Sequence, residues 1–519
     1  GNEEEEGGDG DVEASESDLS VGVRSESARD GDDCVGGPIW PAILAHFLQV
    51  LSFAIVIPYL SLVAALAPWS QQGIRHCPEG LGCGLRVNGT VNDTAEVGPM
   101  GHGVAHAGAI GDGDALIRSQ EILSVCHAIA ACTELATAAL IGVLCDRIGV
   151  RYVAIVGQVG NIVKAVTVLL CAPSEGRLGL LRIDNVFLAL AGSFALSGLF
   201  GATGIPVHTF VAKRSPLSLR SWNFARLAAA SGLGFFLGQT MNVAIAELVG
   251  KHELRIPLLV AALLSVASLV VICCTWPSHV SNSDDPVPWS DALPWLLVKR
   301  TLCTSSNLIK YGAMTFIDGF GMDMVYSAFM VFGRKVYHFD TEQLAIFLLL
   351  MGGGLPIVMT TVLPAMLKYR GELFTLKFGS VMLLAVNVTM CLIGLTPHGW
   401  LMMVAVPFFP LSHVMGPVLL AFATRELPND ELGRLSGAMA AVGTCAKLVA
   451  PLLTAFVMRR TIDGPFPSAL YLVAAVVTMP GVALAWFVHP KEAPDEKADH
   501  SEVQSSDSEV EDVSSPVSR

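Results

Sequence analysis

The chain has 519 residues, 52% of them hydrophobic and only 15% charged, with a mean hydropathy of +0.56. Soluble globular chains carry about 25% charge, so an ordinary soluble enzyme, a nucleic-acid binder and a disordered scaffold are excluded. The net charge of −14 sits at the ends: residues 1–33 hold 13 acids against 2 Arg, residues 491–519 hold 9 acids against 3 bases, and the body carries +3. A near-neutral apolar body between acidic ends reads as an integral membrane protein in a lipid bilayer.

Residues 1–37 form an acidic tail, disordered by composition; they are polar rather than basic-then-apolar, unlike a cleavable signal peptide. A spanning helix needs about 20 mostly apolar residues. Twelve windows qualify: 39–67, 119–144, 152–172, 185–211, 223–248, 254–276, 303–332, 342–367, 373–395, 398–423, 434–458 and 468–489. They are longer than strands, and most lack the alternation of a membrane barrel. The expected fold is therefore all-α, with 12 transmembrane helices in two six-helix halves. The first half is 38–276 and the second 303–489; a linker, 277–302, carries Pro277, Pro286, Pro288 and Pro294. Each half has a short basic turn after its second helix, Asp146–Arg151 and Lys368–Gly371, as an internal repeat of the transporter kind would. The chain closes with an acidic, Ser-rich tail, 490–519, in which Ser505, Ser506 and Ser508 lie among acids. Such a run suits an acidophilic kinase; a solvating tail is the plainer reading.

Lys and Arg are split evenly between the two sides, 11 and 11, so the positive-inside rule assigns no orientation. The long loop 68–118 assigns one. It holds the sequons Asn88-Gly89-Thr90 and Asn92-Asp93-Thr94, which mark a lumenal loop glycosylated at Asn88 and Asn92. Cys77 and Cys83 share that loop, where an oxidising lumen favours a disulfide. Both termini are then cytosolic, at the plasma membrane or an endomembrane. Most of the other cysteines read as small apolar packing residues.

The turn after the second helix reads Gly142-Val143-Leu144-Cys145-Asp146-Arg147-Ile148-Gly149-Val150-Arg151. It resembles the loop signature of the major facilitator superfamily, G-x-L-x-D-R-x-G-x-R. The resemblance implies two halves around a central cavity that opens alternately to either side. Gly142, Asp146, Arg147, Gly149 and Arg151 would form the gating latch: Gly142 lets helices approach, Asp146 faces a helix N-terminus or a partner Arg, and the cations pair across the seam. Gly433–Ala438 and Ala450-Pro451-Leu452-Leu453 are similar to patterns of the tetracycline-efflux and drug:proton antiporter branch. The glycosylated first loop resembles eukaryotic proton-coupled folate and vesicular amine transporters. Helix 4 carries no Arg, which that antiporter branch usually has, and helix 5 lacks its Gly-Pro. The second-half turn Lys368–Gly371 is a degenerate copy of the latch.

An ionisable residue at mid-membrane costs about 2.5–3.5 kcal/mol on insertion scales, so each is a functional candidate. Asp318 and Asp323 on helix 7 lie about 140° apart around the helix, one expected in the cavity and one paired with a neighbour, with Gly319 and Gly321 as a potential local break. Lys447 on helix 11 is the natural partner, an arrangement similar to the helix 7 to helix 11 pair of lactose permease; proton coupling competes here with a static ion pair. Glu134 and Lys164, on adjacent helices 2 and 3, form a second pair, either a structural bridge or a second protonation site. His413, between Pro410 and Pro417, marks unwound backbone of the kind that binds solute. Gln158, Asn161, Gln239 and Asn242 offer hydrogen bonds to a polar solute or between helices, and Arg226 is a basic flank or an anion ligand. His208 reads as snorkelling to water near the end of helix 4.

No Walker A loop, HExxH, G-x-S-x-G elbow or strand-associated GxGxxG occurs. The expectation is a secondary active transporter, not an enzyme, without a cofactor or nucleic-acid partner. It would move a small organic solute with protons; an uncoupled uniporter and a solute-sensing receptor on the same fold are the alternatives.

Overall fold

A computed structural model describes residues 38–65, 113–171, 186–200, 203–249, 255–277, 289–339, 341–462 and 464–489. Asn88, Asn92, Cys77, Cys83 and both acidic tails lie outside them. Each apolar window contains a helix. The first half has α1 (Trp40–Ala65), α2 (Gly113–Arg147), α3 (Val150–Cys171), α4 (Val186–Phe200 and Gly204–Arg214), α5 (Arg220–Val249) and α6 (Arg255–Thr275). The second has α7 (Ser306–Tyr337), α8 (Thr341–Ile357, continued by Leu363–Arg370), α9 (Glu372–Ile393), α10 (Met402–Ala405, Phe408–Ser412 and Met415–Arg425), α11 (Leu432–Thr461) and α12 (Ala469–Trp486). Among the described residues there is no strand, and nine spans are long and apolar enough to cross a membrane.

Local sequence explains the breaks. In α8, Pro356 removes a backbone donor and the helix widens into a π turn over Val358–Val362, the usual relief for an interior Pro. Helix α10 falls into three pieces, with breaks at Val406-Pro407 and at His413-Val414, one turn before Pro417. Helix α7 runs unbroken through Gly319 and Gly321; it is capped at its start by Ser305 Oγ, which accepts from Asn307 N–H at 3.1 Å. The linker is partly ordered, with a 3-10 turn, Trp289–Ala292, and a helix, Pro294–Leu302.

The helices pack through small residues and leave large apolar ones outward: Leu188, Leu263 and Ile357 are 67%, 59% and 62% exposed. That is an inverted surface, suited to lipid rather than water. One core, containing Val143, Phe210, Trp276, Leu363, Phe422 and Leu435, joins both halves at one end. Separate cores hold the second half (Phe329, Phe347, Met390) and the first (Ile55, Leu190, Phe194).

Candidate transport site

The shared core end is built around Asp146. The 2–3 turn is tight because Gly149 adopts φ +94°, a conformation other residues resist. It leaves Asp146, wholly buried, 3.1 Å from the Lys213 ammonium at the end of α4. The same carboxylate accepts Gly433 N–H at 3.0 Å and Arg434 N–H at 2.8 Å. It therefore caps the N-terminus of α11, where backbone donors have no helical partner. Glycines make the approach possible: a Cβ on Gly142 would lie 2.6 Å from the Gly433 carbonyl oxygen and 3.0 Å from Gly437 Cα. Arg147 stacks over Trp289 of the linker, 4.2 Å from the ring centroid. Arg151 donates to the Cys273 carbonyl on α6 at 2.5 Å.

The second half repeats this arrangement with residues that the degenerate turn does not announce. Gly371, at φ +81°, occupies the place of Gly149, and Glu372 follows it. Its carboxylate makes a bidentate pair with Arg425 at the end of α10, at 2.6 and 2.7 Å, and accepts from Ser221 in the first turn of α5 at 2.5 Å. Arg425 stands to α10 as Lys213 stands to α4. Arg220 adds a suture, donating to the Thr424 carbonyl at 2.7 Å and to Asn429 Oδ1 at 2.6 Å. Each half thus contributes an acid–base pair, buried in the first half and half-buried in the second, that holds the start of a helix in the other half.

Along the helix axes, at 1.5 Å per residue, Glu134, Lys164, Asp318 and Lys447 stand roughly 18–23 Å from this latch end, deep within a hydrocarbon layer of about 30 Å. They do not pair as their spacing suggests. Glu134 lies on the face of α2 that also carries Ala138 and Gly142 and meets α11; its Oε1 accepts from Thr444 Oγ1 at 3.2 Å. Lys164 passes instead between α1 and α4, with its ammonium 5.2 Å from the centroid of Phe53 and 4.5 Å from that of Phe194. Among the described residues neither Asp318 nor Asp323 has an ion pair or hydrogen bond, and Asp323 Oδ2 is buried without a partner. Lys447 is exposed and joined to neither aspartate. Asp323 is within electrostatic reach of Lys447 and Glu134, and Asp318 of Asp323.

Two histidines extend the cluster toward the latch. His208 faces the interior, edge-on to Phe224 at 6.1 Å, in electrostatic reach of Lys447 and His46. His46 on α1 bonds Ser231 Oγ at 2.7 Å; a histidine inside the first apolar window was the only sign of it in the sequence. His413 does sit at a break in α10, yet its Nδ1–H donates to the Phe409 carbonyl at 2.8 Å.

Three of the four amides are committed between helices, and Asn161 bonds within α3. Gln158 donates to the Ser265 carbonyl at 3.0 Å and Asn161 to Gln158 at 3.4 Å. Gln239 and Asn242 both donate to the Ala54 carbonyl, at 3.0 and 3.3 Å. Arg226 is exposed and lies over Trp222, 5.3 Å from the ring.

The sequence profile of the Major Facilitator Superfamily matches residues 42–451. The chain belongs to that superfamily. This facilitator is therefore a multi-pass membrane transporter. Tetracycline resistance protein, class C, of Escherichia coli is 22% identical to it over 343 residues, 65% of this chain and 81% of that protein. The class D protein of Salmonella ordonez is 21% identical over 286 residues, 54% and 69% of the two chains. Hippocampus abundant transcript 1 protein of Homo sapiens is 20% identical over 266 residues, 51% and 54%. Among solved structures, the human organic anion transporter MFSD10 (TETRAN) superposes with a TM-score of 0.66 at 16% identity, covering 86% of this chain and 98% of that one. The proton:xylose symporter XylE gives 0.60 at 15%, covering 88% and 96%. Both likenesses concern the fold.

Proposed function

We propose that this facilitator is a secondary active transporter that carries a small organic solute together with, or against, protons. The observation that supports it most directly is the pair of mid-depth carboxylates, Asp318 and Asp323, without an ion pair or hydrogen bond among the described residues. An unpaired carboxylate in this position is costly as an anion and is relieved by taking a proton. Lys447 and Glu134 flank Asp323 from α11 and α2, so rocking the halves changes the charges around it. That links protonation to the direction of access. Asp146–Lys213 and Glu372–Arg425 hold one end shut and must part when that end opens. We place the latch end and both termini in the cytosol, the two halves at 38–276 and 303–489, glycans at Asn88 and Asn92 opposite, and an acidophilic kinase at the C-terminal tail.

Solute-evoked current from purified protein on a solid-supported membrane tests this, with folates, organic cations, amino acids, sugars and carboxylates offered with and without a pH gradient. The expected result is a gradient-dependent current that falls about tenfold or more in Asp318→Asn or Asp323→Asn. Tracer exchange indifferent to pH and to both substitutions would sink proton coupling and leave a uniporter. Binding without exchange would favour a receptor.

A further inference from the structure

The three acids and two lysines at mid-depth are not equivalent. Glu134 and Lys447 lie on α2 and α11, which meet between the halves, and Asp318 and Asp323 lie on α7, which packs on α11. Lys164 is on α3, a helix that packs against α4 and α6 of its own half, through Gly157 on Thr203 and Gln158 on Ser265. Its side chain nevertheless reaches inward between α1 and α4.

Two rings lie against its ammonium, and a third packs on one of them. Phe53 and Phe194 lie under it at 5.2 and 4.5 Å. His127 packs edge-on to Phe194 at 5.2 Å. Phe194 is 1% exposed and forms a wall, whereas Phe53 is 41% exposed and His127 is also open. Phe53 continues the α1 stripe of His46, bonded to Ser231 of α5, and Gln49, bonded to Thr203 beside α4; the rest of α1 packs on α5 and α6. His127 is seven residues from Glu134, on the same face of α2.

No carboxylate, hydroxyl or carbonyl of the described residues bonds Lys164. Glu134, the one acid in electrostatic reach, is turned away to Thr444. Ring faces offset part of the cost of an ammonium in an apolar setting, but no described residue fills its donors. A cation left so by the described residues, bordered by exposed aromatic surface, is matched by one ligand chemistry: an anion attached to a flat apolar body.

We infer that Lys164 is the recognition point for the carboxylate of an aromatic organic acid, with Phe53 and His127 against the ring of the solute. This rests on the transport reading and names the solute class for it. The carboxylate accepts from the Lys164 ammonium, the aromatic body fills the space beside Phe53, and the acids on α7 stay free for the proton. Recognition is thereby placed in the first half and protonation in the second, so the solute ties the two halves together.

The test is equilibrium binding, independent of transport. Purified full-length protein is titrated calorimetrically with benzoate, benzamide and benzylamine, matched in ring and differing in charge. Benzoate is expected to bind about tenfold or more tighter than either analogue. Lys164→Met should erase that preference and Lys164→Arg should keep benzoate affinity within about threefold. Phe53→Leu, a milder change that guards against misfolding of the lysine variants, should weaken benzoate while leaving acetate unaffected. Benzylamine or benzamide binding as well as benzoate, or benzoate binding unchanged in Lys164→Met, would overturn the assignment. The two readings separate: Lys164-dependent benzoate binding without proton-driven current keeps this assignment and sinks the coupling. A proton-driven current for a cationic solute that survives Lys164→Met does the reverse.

Discussion

At the scale of single residues, Asp146 serves three partners. Its carboxylate neutralises Lys213 and caps two backbone N–H groups of α11, all in a spot closed to solvent. Breaking a buried pair by neutralising one member leaves the other charge without compensation, at a cost of about 3–5 kcal/mol. Asp146→Asn keeps an acceptor for a cap but takes away the carboxylate charge that faces Lys213, so a clear fall in thermal unfolding temperature in detergent is expected. Asp146→Asn with Lys213→Met removes both charges and should recover a large part of the loss. An unchanged transition in the single variant would show that the pair carries no stability. The sequence singled out Gly142, Asp146 and Gly149 because their motif combines a small residue, a turn glycine and an acid at fixed spacing; that they gate access belongs to the proposal. Glu372, Arg425 and Arg220 were not singled out, since only the three-dimensional repeat sets them opposite Ser221, Thr424 and Asn429.

At the scale of elements, the helices were readable because a spanning segment must satisfy its own backbone and present apolar side chains for its whole length. Pairings between their charges were not readable, because a side chain at mid-helix has several neighbours. Glu134 turned to α11 and Lys164 to α1 and α4, although α2 and α3 are antiparallel neighbours. The same limit applies to α7, where an angle between Asp318 and Asp323 does not say what each meets. What governs α2 against α11 is the glycine seam. On Gly142, a Cβ would meet backbone atoms, Gly433 O at 2.6 Å and Gly437 Cα at 3.0 Å, which cannot swing aside as a side chain would. Gly142→Ala should therefore prise the helices apart at this end, with an overpacking cost of about 1–3 kcal/mol. Cys145 reports it, being 1% exposed beside the latch. Its alkylation by a polar maleimide, followed on the Cys145 peptide by mass spectrometry, should quicken by about tenfold for each 1.4 kcal/mol. Equal rates in parent and variant would mean the seam does not hold the end closed.

At the scale of the molecule, closure at one end is shared between the halves rather than owned by either. Asp146–Lys213 from the first half grips α11, and Glu372–Arg425 from the second reaches α5. With two comparable latches, losing one leaves the other to hold the closed arrangement. Inverting a population from 1:99 to 99:1 requires about 5.5 kcal/mol, more than one such pair supplies after its own desolvation is counted. The effect of removing both should therefore exceed what either removal suggests. Leu219 and Asp430, exposed on opposite halves at this end, are suitable positions for spin labels. Pulsed dipolar spectroscopy should give one short distance in the parent, a minor longer population in Asp146→Asn or Glu372→Gln, and a dominant long distance in the double variant. If Asp146→Asn alone shifted the whole distribution, the second pair would be an ornament of the fold and the first half would govern access by itself. A distribution unmoved in the double variant would place the closing force elsewhere, in the apolar core that joins the halves around Phe210, Phe422 and Leu435.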